Sequence, residues 1–469
     1  MQRNSNRDSK KGKLVYIRTF GCQMNVRDSE IILGMLQERG YAQVGSVEEA
    51  DVVLFNTCAV RRQAEQRAWS NVGMVGKRGT RDEGRGTKII GDTRPHKKII
   101  GLVGCMAQAY QDEVFRRAPQ VGLVCGPANI YDIPQLITKA RDGNAQVLAV
   151  DRQRRPLVRC DGFRSASLKA FVSVMYGCNN FCSYCIVPYV RGREVSRPLK
   201  HILDEAKGLA GQGVKEITLL GQNVNSYGKD LRGKINFVRL LEKLDRIEGI
   251  ERIRFLTSHP KDASKELFGA MRDLPRLCEH LHLPLQAGSD KILRRMNRGY
   301  TLRNYLKLIE DLRRVIPDCG LSTDIIAGFP GESEADFQKT VQALQRIQFD
   351  EAFIFKYSPR PKTKAAQLKD DVPLEIKQRR NQALLKLQEE ISLKKNKSLL
   401  GGSVRVLTEG PGNYFGSDSS KANMLQGRSR ANKVTLFSGK RGLISQIVNV
   451  RINRVTTHTL IGEVNGKKN

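Results

Sequence analysis

The sequence predicts an α/β protein in three parts: an amino-terminal parallel-sheet (Rossmann-like) domain, a central incomplete (β/α)6 barrel of the TIM type, and a small antiparallel β-barrel at the carboxyl end. Three observations carry that prediction. Short apolar runs of strand length alternate with helical patterns through most of the chain, the signature of parallel sheets covered by helices. Turns containing cysteine and glycine recur directly after those runs, where α/β folds hold their ligands. After Leu400-Gly401-Gly402 the apolar period drops to two, with Gly, Asn and Ser turns between the runs. A chain of 469 residues matches three domains at about 150 residues each. Their boundaries are read at 13–142, 164–395 and 397–465.

In the first part, Leu14–Phe20 reads as a strand ending in Gly21-Cys22-Gln23-Met24-Asn25, with the helical pattern Asp28–Arg39 behind it. Asp51–Asn56 is a second strand, ending in Thr57-Cys58 before the helical Ala59–Val75. Lys98–Val103 is a third, ending in Gly104-Cys105 before Met106–Arg117. One cysteine at such a place is more often a small buried residue than a ligand. Three at one sheet edge make a candidate three-thiolate metal site of Cys22, Cys58 and Cys105. Cys125 follows a further apolar run, is flanked by Gly126-Pro127, and reads as structural. Gly76–Lys97, rich in Gly, Lys, Arg and Asp, reads as a polar loop.

The central part opens on the most specific motif, Tyr176–Cys185. Its thiols Cys178, Cys182 and Cys185 are spaced Cys-x-x-x-Cys-x-x-Cys. Short spacers let successive thiolates turn back to one centre, so the loop can wrap three corners of an iron–sulfur cube and leave one iron open. Radical S-adenosylmethionine enzymes chelate their cofactor on such an iron. The competing readings are a zinc knuckle completed by His201, or thiols that only pack, and zinc sites more commonly show Cys-x-x-Cys pairs. Barrel strands are expected at Ala170–Met175, Val214–Leu220, Arg252–Thr257, His280–Leu285, Leu321–Ile326 and Glu351–Tyr357. At their carboxyl ends stand the cysteine loop, Gly221-Gln222-Asn223, Ser258-His259-Pro260, Gln286-Ala287-Gly288-Ser289 and, beyond Asp324, Gly328–Glu332. Gly221, Gln222 and Asn223 are the expected cofactor contacts, the glycine allowing close approach of backbone. His259, His280 and His282 read as hydrogen-bonded barrel residues.

Pro373–Lys397 reads as a charged connector helix. Beyond it, Val404–Leu407, Met424–Gly427, Lys433–Phe437 and Leu443–Val455 are the strands of the small barrel, which carries Arg405, Arg428, Arg430, Lys433, Arg451 and Arg454 and reads as an RNA grip. The whole chain holds 80 Lys and Arg against 48 Asp and Glu, a formal charge of +32, which points to a polyanionic partner, nucleic acid above all. Ten cysteines without a signal peptide argue for the reducing cytoplasm. No apolar run approaches the roughly 18 residues of a membrane span, and Met1–Lys13 reads as a polar, basic tail.

Several strings carry a family resemblance: Phe20–Asn25, Asn56-Thr57-Cys58, Gly104–Gln108, Tyr176–Glu194, Gly221–Gly228, His282–Ser289, Met296–Thr301, Asp324–Glu332 and Tyr357–Pro361. From about residue 13 to about residue 465 the chain resembles the methylthiotransferases, a radical S-adenosylmethionine (SAM) family with an extra amino-terminal domain and a carboxyl-terminal TRAM domain. Within that family it is most similar to the branch acting on isopentenylated adenosine in tRNA. The resemblance implies two 4Fe–4S clusters. One, on Cys178, Cys182 and Cys185, would bind and reductively cleave SAM; the other, on Cys22, Cys58 and Cys105, would carry the sulfur to be inserted. It implies that one cofactor molecule methylates that sulfur and another yields the 5′-deoxyadenosyl radical that takes hydrogen from carbon 2 of the base at position 37, beside the anticodon. It also implies a flavodoxin- or ferredoxin-like reductase as electron donor, and a monomer. Arg62 and Ala287 stand where relatives commonly have an acid and a serine. The alternatives are sister enzymes acting on threonylcarbamoyladenosine in tRNA or on a ribosomal-protein aspartate, and a non-catalytic iron–sulfur RNA sensor. Asn179-Asn180-Phe181 and the basic balance favour the first reading, and two sites with an open iron favour catalysis over sensing.

Overall fold

The computed structural model describes residues 13–81, 98–143, 146–151, 167–412 and 424–465. By compactness the chain forms two units. Residues up to Ser165 join Tyr176–Arg197 and Arg360–Thr363 in one, while Ala166–Met175, Pro198–Pro359 and Lys364–Asn469 make the other.

In the first unit, β1 (Leu14–Thr19), β2 (Ala42–Gln43), β3 (Val52–Thr57), β4 (Ile99–Gly104), β5 (Leu123–Cys125) and β6 (Val147–Ala149) form one parallel sheet in the order β2-β1-β3-β4-β5-β6. Every residue of β3 and β4 is buried, as central strands covered on both faces require. Helices α1 (Gln23–Glu38) and α5 (Ile133–Asp142) pack Ile32, Leu36, Ile133 and Ile137 against Val52 and Leu54. On the opposite face, α2 (Arg62–Arg81) and α3 (Cys105–Tyr110) pack Ala68, Val72 and Met106 against Val53 and Phe55, with α4 (Glu113–Arg117) beside them. Ile186, just before the short helix α6 (Val187–Val190), and Val190 within it belong to that same core, which is why the cysteine loop groups with this unit. Residues Gly76–Arg81, expected in a loop, continue α2. Each glycine there costs about 1 kcal/mol, yet a helix already nucleated extends cheaply. The rest of the Gly76–Lys97 stretch lies outside the described residues. The single helix expected over Met106–Arg117 is two, broken at Gln111, whose φ is +52°.

The second unit opens with β7 (Lys169–Ser173); the short β8 (Met175–Tyr176) and β9 (Val195–Ser196) stand at the two ends of the cysteine loop, most of which belongs to the first unit. β10 (Glu216–Leu220) and β11 (Arg252–Phe255) join β7 in one parallel sheet; β12 (His280–His282), β13 (Gly320–Ala327) and β14 (Glu351–Lys356) form another. An isolated parallel bridge joins Ile253 on β11 to Leu277, in the segment that leads into β12. Six parallel strands therefore run β7-β10-β11-β12-β13-β14, an incomplete barrel. Intervening helices α7 (Leu199–Gly211), α8 (Phe237–Leu244), α9 (Lys265–Asp273), α10 (Asp290–Arg295), α11 (Leu302–Val315) and α12 (Glu334–Ile347) cover it, and α13 (Leu374–Lys397) leads out. Strands β15 (Ser403–Pro411), β16 (Met424–Ser429), β17 (Val434–Ser438), β18 (Ile447–Val455) and β19 (Thr459–Val464) close the small barrel. All its pairings are antiparallel except β17 with β19. β19 is a strand beyond the four expected.

The small barrel is clamped to the amino-terminal ends of the parallel strands. Arg252 and Arg254, both buried on β11, reach into it: Arg252 donates to the carbonyls of Arg428 (2.5 Å) and Arg405 (3.0 Å), and Arg254 to those of Ser429 (2.6 Å) and Arg430 (2.9 Å). In return Arg430 grips Glu279, and Lys433 pairs with Asp350 at 2.8 Å. This end of a barrel serves stability, since ligands sit at the opposite end. Among the described residues no helix is long and apolar enough to cross a membrane.

Candidate metal centres

Cys22 follows β1, Cys58 follows β3, and Cys105 opens α3 at the end of β4. Because β1, β3 and β4 are sheet neighbours, three thiols distant in sequence meet at one edge. Cys58 donates a hydrogen bond to Cys22, which with the Arg191 guanidinium pulls the Cys22 thiol down to about 5 against the effect of burial. The same bond, with burial, holds Cys58 well above the usual thiol range, and burial pushes Cys105 up. Thiolate is the metal-binding form of cysteine. Gly21 has φ +112°, and any side chain there would collide with the Cys58 Cβ and crowd its sulfur, so glycine is required for both conformation and space.

Arg191 completes this site. Its Nε donates to Cys105 Sγ at 3.3 Å, and its Nη2 to Asn25 Oδ1 at 2.9 Å and Asp28 Oδ2 at 2.7 Å. Sequence reasoning passed over it. The available signal was a guanidinium just beyond the cysteine loop, in Val190-Arg191-Gly192-Arg193.

The loop of Cys178, Cys182 and Cys185 is fixed by its own ends. Asn179 N–H donates to Glu194 Oε1 and Glu194 N–H to Asn179 Oδ1, both at 3.2 Å, while Cys178 N–H donates to the Gly192 carbonyl at 3.1 Å. Gly177 has φ +74°, and a Cβ there would strike the Arg193 carbonyl. Arg193 lies 4.5 Å above the Phe181 ring, which meets Tyr189 edge-on. Cys182 is buried, while Cys178 and Cys185 are partly open, as thiols around an externally liganded iron should be. Burial raises Cys178 to about 11. Among the described residues no three His, Cys, Asp or Glu side chains gather as ligands of a single ion. Both sets offer soft thiol donors, which suit iron–sulfur chemistry.

A third feature lies in the second unit, at the carboxyl ends of its strands. Asn223, Ser258, His259 and Gln286 are all buried there. Asn223 donates to Asp262 Oδ2 at 2.8 Å, but its Oδ1 has no partner; the same is true of Ser258 Oγ, His259 Nε2 and Gln286 Oε1 among the described residues. Buried polar atoms are nearly always paired, so this group is suited to a polar ligand. His259 Nδ1 accepts from Lys261 N–H, which leaves the proton on Nε2. Burial and the charges of Arg298, Lys261 and Lys229 hold this ring down to about 2, so it donates as a neutral group. Gln222 is half-buried. A Cβ on Gly221 would lie 2.6 Å from Met175 and 3.1 Å from Val224, a packing reason for that glycine independent of any cofactor.

The description "Radical SAM superfamily" matches residues 172–344, and "Uncharacterized protein family UPF0004" matches residues 14–126. A solved radical SAM methyltransferase from Kitasatospora setae, with tryptophan and a SAM analogue bound, shares the fold at 14% identity. It covers 76% of this chain and 75% of its own, with a TM-score of 0.53. The fold and the cysteine loop thus define a radical SAM enzyme, one that works with a 4Fe–4S cluster and SAM and carries an additional amino-terminal sheet domain. A relative from Caldicellulosiruptor saccharolyticus is 48% identical over 97% of this chain and 93% of its own length. One from Moorella thermoacetica is 45% identical over 96% and 98%, and one from Thermoanaerobacter sp. strain X514 is 47% identical over 97% and 94%. All three are named tRNA-2-methylthio-N(6)-dimethylallyladenosine synthase, and this chain belongs to that family.

Proposed function

We propose that the chain adds a methylthio group to carbon 2 of N(6)-dimethylallyladenosine at position 37 of tRNA, and that it uses two clusters. Cys178, Cys182 and Cys185 would hold the cluster at which SAM is bound and cleaved. Cys22, Cys58 and Cys105 would hold the cluster that carries sulfur. The observation that supports this best is the second set: three strand-end thiols with a guanidinium on one sulfur, in the same compact unit as the cysteine loop. When bound, the clusters and SAM supply a radical for an unactivated C–H bond and a methylated sulfur to replace the hydrogen, chemistry beyond any side chain here.

The chain's own part is to hold and exclude. Asn179 and Glu194 keep the first loop closed, and Arg191 orients Cys105. Asn223, Ser258, His259 and Gln286 offer polar atoms to a ligand at the strand ends, where barrel chemistry is done. The target base would be turned out of the anticodon loop to reach such a pocket, and exposed arginines such as Arg405 and Arg451 would meet tRNA phosphates. A flavodoxin- or ferredoxin-like reductase would deliver electrons, and a monomer acting in the cytoplasm is sufficient for this chemistry.

Nucleoside mass spectrometry of tRNA from a deletion strain tests the reading. Dimethylallyladenosine should accumulate without its methylthio group and be converted again by the wild-type gene, but by neither Cys58→Ala nor Cys182→Ala. Purified Cys58→Ala should still release 5′-deoxyadenosine from SAM under strong reductant, and Cys182→Ala should not. A full complement of methylthiolated nucleoside in the deletion strain would sink the proposal.

A further inference from the structure

We infer that Arg191 is a positioning residue for the second cysteine set: it fixes the Cys105 sulfur and places a buried positive charge and an unpartnered N–H beside the cluster held there. The inference rests on the reading that Cys22, Cys58 and Cys105 ligate a cluster. Arg191 and Asp28 are only 3% and 1% exposed. The guanidinium is aimed by groups that are themselves held. Asn25 Nδ2 donates to the Phe20 carbonyl at 2.9 Å, and the Asn25 carbonyl accepts from Asn56 Nδ2 at 2.8 Å. Nε is spent on Cys105 and Nη2 on Asn25 and Asp28, while Nη1 is buried without a partner among the described residues. A buried N–H is nearly always satisfied. The acceptor that suits this one is sulfur, either a cluster sulfide or a sulfur carried on the open iron.

The fork geometry matters as much as the charge. A guanidinium can serve three acceptors in one plane, whereas an ammonium is a point charge that cannot hold the same three. Hydrogen bonds to sulfur and local charge are among the levers that set a cluster's potential. Arg191 also lies just beyond Cys185 in sequence, so its grip on Asp28 and Cys105 ties the loop of the first set to the ligands of the second, within one unit.

The test uses the full chain with Cys178, Cys182 and Cys185 all changed to Ala, which leaves only the second cluster. Arg191→Lys keeps the charge and loses the fork. Arg191→Met with Asp28→Asn removes both members of the ion pair, so that neither charge is stranded. Both should show a more negative midpoint potential than the parent, with the Lys variant between parent and double variant, and altered Fe–S stretching bands in resonance Raman. A residue that only braced the fold would not move the potential of a cluster that still forms. Unchanged potential and bands in an iron-loaded variant would overturn the inference. If the double variant fails to fold, Arg191→Lys decides alone by the same two readings. Should either variant lose the second cluster while the first stays loaded in an otherwise wild-type chain, positioning of Cys105 is supported. A parent that holds no iron refutes the two-cluster reading instead.

Discussion

Arg430 on the small barrel grips Glu279 at the foot of the parallel strands with both prongs of its guanidinium, Nε to Oε2 and Nη2 to Oε1, each at 2.6 Å. The sequence suggests that the cations of this barrel face RNA. Arg430, Lys433 and the backbone around Arg428 are instead committed to holding the barrel in place. Arg430→Met should lower the stability of the chain by about 2 kcal/mol, the usual scale for losing hydrogen bonds to a charged group. Truncation after Lys397 should cost more, because it also removes the carbonyl partners of the buried Arg252 and Arg254 and the Lys433 partner of Asp350. Urea unfolding followed by circular dichroism checks both, and equal midpoints for wild type and Arg430→Met would contradict the clamp.

RNA contact should fall to the cations the clamp leaves exposed. Arg405 pairs across from Asn449 and Ser403 from Arg451, so Arg405 and Arg451 share one outward face of β15 and β18. Replacing either by Ala should weaken tRNA binding at every sequence alike and reduce the slope of log K against log salt by about 1, without shifting the urea midpoint. A slope identical to that of the wild type would remove these residues from the interface.

Two glycines should separate the two candidate centres without replacing a cysteine. Gly21→Ala places a Cβ against Cys58, and Gly177→Ala places one against the Arg193 carbonyl, each at a left-handed φ. Each variant should bind about half the iron of the wild type, on the view that each loop serves its own centre. Gly21→Ala should still cleave SAM; Gly177→Ala should not. Full iron in either variant would show that its loop is not a cluster scaffold.

Acid should destabilise the metal-free protein through its barrel histidines. Burial, chiefly, holds His259 down to about 2 and His280 down to about 3, against about 6.5 when unfolded. Folded rings stay neutral while unfolded ones take up protons, so the stability is complete above about pH 6.5 and is lost as pH falls below it, by about 1.4 kcal/mol per ring and pH unit. Urea midpoints measured from pH 7 to pH 5 should fall accordingly, and His280→Gln should flatten that dependence by about one proton. An equally steep dependence in His280→Gln would assign the effect elsewhere.

What could be read in the sequence was whatever repeats or is local. Strand, cysteine, helix recurs three times, and that rhythm alone places Cys22, Cys58 and Cys105 at one sheet edge. The spacing of Cys178, Cys182 and Cys185 is local too. Arg191 was not legible, because its partners Cys105 and Asp28 lie 86 and 163 residues away. Arg430 was misjudged for the same reason: a cation beside a turn looks alike whether it meets water or a glutamate 151 residues upstream. β19 was missed because Gly462-Glu463 interrupts the apolar pattern of Thr459–Val464, and the strand completes its barrel by pairing with β17 and β18, contacts that no local pattern encodes.

The grouping of the cysteine loop with the amino-terminal sheet has a consequence for how the enzyme is made. All six candidate ligands are translated before β10, and they belong to a unit that lacks at that point only Arg360–Thr363. Chains fold from the amino terminus as they emerge, so iron and sulfide can be delivered to a nascent chain while the barrel is still unfinished. Arg360 arrives much later and closes on Glu65, Nη1 to Oε2 at 2.7 Å. That late arrival would act as a latch on thiols already filled, and cluster loading would then be an early event in biosynthesis rather than a repair made to a finished enzyme.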